Sequence, residues 1–262
     1  MISKKISPLL VALVATATAS SAWALPAATG TSTAEGNYKY TAGSVSSKGS
    51  AATGSSTGAA VDVNGGSGGF GFEASAEAVG GALKAFASTS AVEGVSGKSK
   101  AEGYASFTDY VTFTGGVGSA EGFLLSSLSG SLNAGDAGKA KYEYTVSIYD
   151  LGSGAKQALI DDERTFKLGE LTLSNAYKND FSFTFGNTYK LVASLTATAW
   201  NGGVADFSHT ANLNFALGSG VNLTSASGYT YNVPAVPEPQ TYAMLLAGLG
   251  MISVMARRRT KM

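Results

Sequence analysis

The chain of 262 residues contains no cysteine and a single histidine, His209. Without thiols it has no disulfide framework and no thiolate chemistry. With one imidazole it lacks the ligand set of an ordinary zinc site. A Ser-His-Asp triad would need His209 as its general base, yet a lone histidine in the strand-like stretch Asp206-Phe-Ser-His209 reads as a structural residue. Charge is scarce as well, at 14% of residues, and the formal net charge is zero. That balance hides an asymmetry. Lys4, Lys5, Arg257, Arg258, Arg259 and Lys261 lie in the end segments, as does Glu238, which leaves twelve basic and seventeen acidic residues between them. A mildly acidic body offers no basic patch, so nucleic acid is not expected as a partner.

The remaining candidate chemistry is thin. Asp161, Asp162 and Glu163 are adjacent, whereas the two carboxylates of a glycosidase must flank a sugar bond from opposite sides. The segment 160–164 reads as a solvated turn before a strand at 165–168. Asp62, Asn64 and Gly65 partly resemble a calcium loop of oxygen ligands. However, Phe70 stands where a glycine-rich calcium repeat needs Asp, and no second copy follows. No metal and no cofactor is expected. Asn222-Leu-Thr224 is a formal glycosylation triplet, here read as chance. Twelve Phe and twelve Tyr dominate the larger side chains; they read as core, with an exposed platform for sugar rings as the alternative.

The two ends say more. Lys4 and Lys5 precede an uncharged, mostly apolar stretch over 8–19, and Ala22-Trp-Ala24 places small residues at both positions flanking a cut. This is the layout of a secretory signal peptide over 1–24, with the mature chain starting near Leu25. At the other end, residues 241–256 are free of charge. As a helix they span about 24 Å, short for a hydrocarbon core of about 30 Å. Arg257, Arg258 and Arg259 snorkel at its cytoplasmic end, and Tyr242 at the other end sits at the interface. Pro234, Pro237 and Pro239 hold the preceding strip extended and accessible.

Val236-Pro237-Glu238-Pro239, an apolar helix carrying Ala-Gly-Leu-Gly over 247–250, and the closing Ala256-Arg257-Arg258-Arg259 resemble, in that order, the PEP-CTERM sorting signal. The resemblance covers about 233–261 and does not extend into the body. It implies a protein exported by a Gram-negative bacterium that makes exopolysaccharide. It further implies transient insertion in the inner membrane, recognition by a membrane-embedded exosortase that cuts near Pro237-Glu238-Pro239, and delivery of the body to the cell surface or matrix.

Between the ends, composition divides the chain into 25–103 and 104–232. The first is built of Ala, Gly, Ser and Thr; its stretch 46–72 resembles a flexible linker and is too poor in apolar volume to build a core alone. Residues 27–70 are expected to stay mobile, with weak alternation at 73–95. From Tyr104 onward FTDYVTF (107–113), YEYTVSIY (142–149), FSFTF (181–185), YKLVASLTATAW (189–200) and ANLNFAL (211–217) read as strands. Turns are marked at Gly115-Gly116, at 152–154, at Gly186-Asn187 and at Asn201-Gly202-Gly203. The expected fold is mainly β, an antiparallel, jelly-roll-like β-sandwich flanked by a signal helix and a transmembrane helix. The expected function is non-enzymatic: a structural or adhesive protein of an exopolysaccharide biofilm. The alternatives are a carbohydrate-binding module holding matrix polysaccharide and, third, a secreted hydrolase.

Overall fold

The computed structural model describes residues 27–40, 43–54, 59–67, 70–91, 97–136 and 138–231. Its thirteen strands are β1 (Thr29–Tyr40), β2 (Gly43–Gly54), β3 (Ala59–Ser67), β4 (Phe70–Val79), β5 (Ala82–Ser90), β6 (Gly97–Thr114) and β7 (Ser119–Gly135), followed by β8 (Lys139–Asp150), β9 (Lys156–Phe166), β10 (Gly169–Thr184), β11 (Thr188–Trp200), β12 (Val204–Ala216) and β13 (Asn222–Ser225). They form two antiparallel sheets. One runs β2-β1-β6-β11-β8-β9 with β13 on the edge of β6; the other runs β10-β7-β12-β5-β4-β3. The sheets face each other: β1 lies over β4, β6 over β4 and β5, β11 over β12, β8 over β7 and β9 over β10. The mainly β, antiparallel architecture expected from the sequence is present. The signal helix and the apolar helix over 241–256 lie outside the described residues.

The winding has a simple logic. β8 pairs with β9, β7 with β10, β6 with β11 and β5 with β12. These pairs nest, so β5 to β12 form one long antiparallel ribbon whose turn is the β8–β9 connection. Rolling that ribbon seals β11 to β8 and β12 to β7. The hairpin β1–β2 then adds to β6, and β3–β4 adds to β5.

Period-2 alternation directs the core. On β11, Tyr189, Leu191, Ala193, Leu195, Ala197 and Ala199 are buried while most residues between them are not. The turn signals fall where expected. Asn201, with φ of 50°, and Gly202, with φ of 92°, turn the chain from β11 to β12, using the left-handed region that Asn and Gly tolerate.

Three expectations change. The linker-like stretch 46–72 carries β2 and β3 and the start of β4, because edge pairing uses backbone groups and needs little side-chain volume. The boundary between 103 and 104 falls inside β6, and both compositional segments share one core. The segment 160–164 is part of β9 and not a turn: Asp161 pairs with Thr145 and Glu163 with Glu143 on an edge strand, where outward charges are tolerated.

Candidate functional site

Pro237, Glu238, Pro239, Arg257, Arg258 and Arg259 lie outside the described residues, as do Ala22 and Ala24. The structure shows instead the place from which the sorting tail departs. Asp109 sits on β6 with the parity of Phe107, Val111 and Phe113, so it points into the core and is 1% exposed. One carboxylate oxygen accepts hydrogen bonds from Ser225 Oγ (2.6 Å), Ser227 Oγ (2.7 Å) and Tyr231 Oη (2.8 Å). The other accepts from the backbone N–H of Ser227 (3.1 Å) and of Tyr110 (2.8 Å). A buried charge is tolerated only with such donors. All but Tyr110 belong to the last stretch of chain before the tail.

That stretch crosses from one sheet to the other. β13 pairs with 111–114 of β6, above the point where Thr29 of β1 pairs with Thr108. The chain then carries Tyr229 over the β4–β5 turn, where a Cβ at Gly80 would lie 3.3 Å from its side chain. Tyr231, 2% exposed, packs edge-on to Phe215 at 5.3 Å and closes the core. Burial, then the charge of Asp109, pushes its hydroxyl well above the ordinary tyrosine range. The described chain therefore begins and ends at the same end of the sandwich.

A second feature lies on the outer face of the β3–β5 sheet. Pairing of β12 jumps from Phe207 opposite Ala85 to Ala211 opposite Leu83, so Ser208 and His209 stand out as a bulge. The bulge walls one side of a shallow open groove of about 510 Å³ that displays Asp62, Glu77, Lys84 and Phe86. Lys84 pairs with Glu77 at 2.8 Å. Asp62 and Asn64, the calcium-loop candidates, lie on the ladder of β3 opposite Ser75 and Glu73, not in a loop. His209 is exposed on the other side of the bulge, over a hollow shared with Ser129, Ser131, Thr172 and Asp206. Ser208 Oγ donates a hydrogen bond to Asp206 at 2.6 Å. Asn222 is exposed at the start of β13.

Asp161 and Glu163 face outward on β9, and Glu163 pairs with Lys141 at 2.7 Å. That hydrogen bond holds the Lys141 ammonium above the ordinary lysine range, against a smaller opposing effect of burial. Asp162 turns inward at the open side of the sandwich and accepts from Tyr142 Oη (2.8 Å), Tyr177 Oη (2.5 Å) and Asn175 Nδ2 (3.3 Å). The acidic triplet is thus split between two faces. Most large rings are core: Phe70, Phe113, Phe183, Phe207 and Phe215 are almost fully buried. Phe86, by contrast, looks outward from β5.

The Asp109 cluster was not singled out in the sequence. Its signal is parity: in FTDYVTF the aspartate falls on the same face as both phenylalanines, and a core-facing carboxylate in an aromatic strand calls for donors.

The chain carries a PEP-CTERM protein-sorting motif at residues 235–259. Glu238, the charge-free run and the three arginines all fall within it. No curated protein and no solved structure matches the chain. Among the described residues, no helix is long and apolar enough to cross a membrane.

Proposed function

We propose that this is an exported protein handed to an exosortase by its tail, cut near Pro237-Glu238-Pro239, and left at the cell surface or in an exopolysaccharide matrix, where the body acts as a non-catalytic structural or adhesive module. The sorting motif at 235–259 carries this reading. The body suits it: a jelly-roll winding, extended on each sheet by a hairpin of small residues, builds a continuous core with no disulfide. The latch holds Tyr231 in the body, and five residues, among them Pro234, separate it from Pro237. Replacing Pro237, Glu238 and Pro239 by alanine is expected to leave full-length protein in the inner membrane. Cell fractionation with intact-mass measurement of the body checks this, and normal release of the triple variant refutes it.

A second reading takes the body as a carbohydrate-binding module. The groove beside Phe86 supports it, because a ring bordered by Asp62, Glu77 and Lys84 supplies both a stacking face and hydroxyl partners. Released body is passed over immobilised exopolysaccharide, and Phe86→Ala is expected to abolish retention. Equal retention of both proteins removes this reading and leaves the structural one.

A further inference from the structure

The two ends of the sandwich differ in chemistry. The tail-proximal end is made of the connections 80–81, 115–118, 151–155, 185–187 and 217–221 and the closing segment 226–231, and none of these residues is Asp, Glu, Lys or Arg. They are one hydrogen-bonded surface. Phe185 N–H donates to Gly118 O, Gly186 N–H to Phe113 O and Leu151 N–H to Thr188 O, each at 2.9 to 3.1 Å. Asn187 Nδ2 donates to Asp150 Oδ2 at 3.3 Å. Two apolar side chains project from it, Val117 at 94% exposure and Leu151 at 48%. The far end instead displays Asp136, Lys167 and Glu170, with Lys98 and Lys139 beside them, and among its described residues the exposed apolar Leu168 sits amid those charges.

We infer that the tail-proximal end is a lipid-facing surface, on which the body rests against the outer leaflet of the inner membrane through Val117 and Leu151 while the tail is inserted. Three observations converge. The Asp109 latch holds Tyr231, the last described residue before the tail, at this end. Only nine residues lie between Tyr231 and Thr241, ten Cα steps with a reach of at most ~35 Å. The connections at this end bring no charge that would have to be desolvated against headgroups. The charges beside them include Asp150 and the exposed Lys156, at the ends of β8 and β9, and the latter is a cation that suits anionic headgroups. A glycine-rich rim with apolar tips enters the interfacial region, and Asp150, the nearest carboxylate, is already satisfied. Burial alone would raise it, but the N–H groups of Gly152 and Ser153 outweigh that and hold its carboxyl below the ordinary range. The far end, with its mixed charges, is left to face the cell exterior and to meet matrix first.

This inference rests on the tail being inserted, so the test reports on tail and body separately. The chain has no cysteine, so single ones are introduced by Val117→Cys, Leu151→Cys, Leu168→Cys and, in the tail, Met244→Cys. Each full-length protein carries an environment-sensitive fluorophore in vesicles of phosphatidylethanolamine and phosphatidylglycerol. Spin-labelled lipids quench either at headgroup depth or deep in the acyl region. The expected result is deep quenching at 244, and headgroup quenching at 117 and 151 on the order of twofold or more above that at 168. Quenching at 117 and 151 no greater than at 168, with the tail probe quenched, overturns the lipid-facing surface while leaving the sorting reading intact. An unquenched tail probe overturns the insertion on which both rest.

Discussion

Where β4 and β5 face β6, the sheets are separated by alanine and glycine: Ala74, Ala76, Ala85 and Ala87 on one side, Ala101, Gly103 and Ala105 on the other. Where β7, β10 and β12 face β8, β11 and the C-terminal end of β6, they are held apart by rings and leucines. Phe113 stacks on Phe183 at 4.3 Å and meets Phe215 at 5.9 Å, and Tyr142 lies 4.9 Å from Phe207. One sandwich therefore has a thin half and a thick half. At Gly103 the approach is so close that a Cβ would press on the Ser75 carbonyl oxygen and lie 2.6 Å from that of Phe86. Packed sheets are ordinarily about 10 Å apart, a distance set by the side chains between them. A segment of small residues can thus join a dry core by bringing the backbones together. Volume decides thickness; it does not decide whether the sheets pack.

The two halves should fail in opposite ways. The largest effect is expected from Phe113→Ala in the thick half, where a cavity opens among four rings; a loss of about 4 kcal/mol is expected in urea unfolding. In the thin half the damaging change is addition. Gly103→Val must push β6 off the carbonyl groups of β4 and β5, backbone that cannot rotate away, and should cost about 3 kcal/mol or more. If Gly103→Val unfolds at the same urea concentration as the parent chain, the close approach of the sheets is wrong.

The thick half was clearly legible in the sequence and the thin half only faintly, as the weak alternation at 73–95 that the structure places in β4 and β5. Strands such as YKLVASLTATAW alternate large apolar residues with polar ones, and the structure places that whole stretch in β11. In 46–72 the same period is carried by Ala, Gly and Ser, whose burial contrast is too weak to show it, so the stretch reads as linker. The acidic run at 161–163 misleads for a related reason. Charge suggests a turn, yet on an edge strand two of the acids point out and Asp162 finds tyrosine hydroxyls at the open side. The sorting motif was fully legible because its elements are linear. The Asp109 latch was not, since its hydroxyl donors lie more than a hundred residues away in sequence.

The latch ties the tail-proximal end to the thick half, and Asp109→Ala separates the two. Removing the acceptor strands the hydroxyls of Ser225, Ser227 and Tyr231, at an expected cost of about 2 kcal/mol. The loss should be local. Limited proteolysis is expected to cleave within 226–231 while β4 to β12 stay intact, and a variant cut no faster than the parent would show that Tyr231 packing on Phe215 suffices without the carboxylate.

The smallest effect is graded by pH and belongs to the thick half and its latch. Burial raises the Tyr144 and Tyr231 hydroxyls well above the ordinary tyrosine value, and burial with the Asp162 hydrogen bond takes Tyr177 to about 12. The sign follows from where protons are held. Unfolded tyrosines ionise near pH 10, while the folded chain keeps these protons to higher pH, so above pH 10 the folded state binds more protons than the unfolded one. Stability is then complete below pH 10 and falls as pH rises toward the folded values, by about 1.4 kcal/mol per pH unit for each buried tyrosine. Tyr177 is half-exposed and contributes less. Urea midpoints between pH 9 and 11.5, read together with tyrosinate absorbance, measure this. Tyr231→Phe should remove about one tyrosine's share of the slope. A midpoint independent of pH across that window, or full tyrosinate absorbance while the chain is still folded, would mean that these hydroxyls are not held as the structure places them.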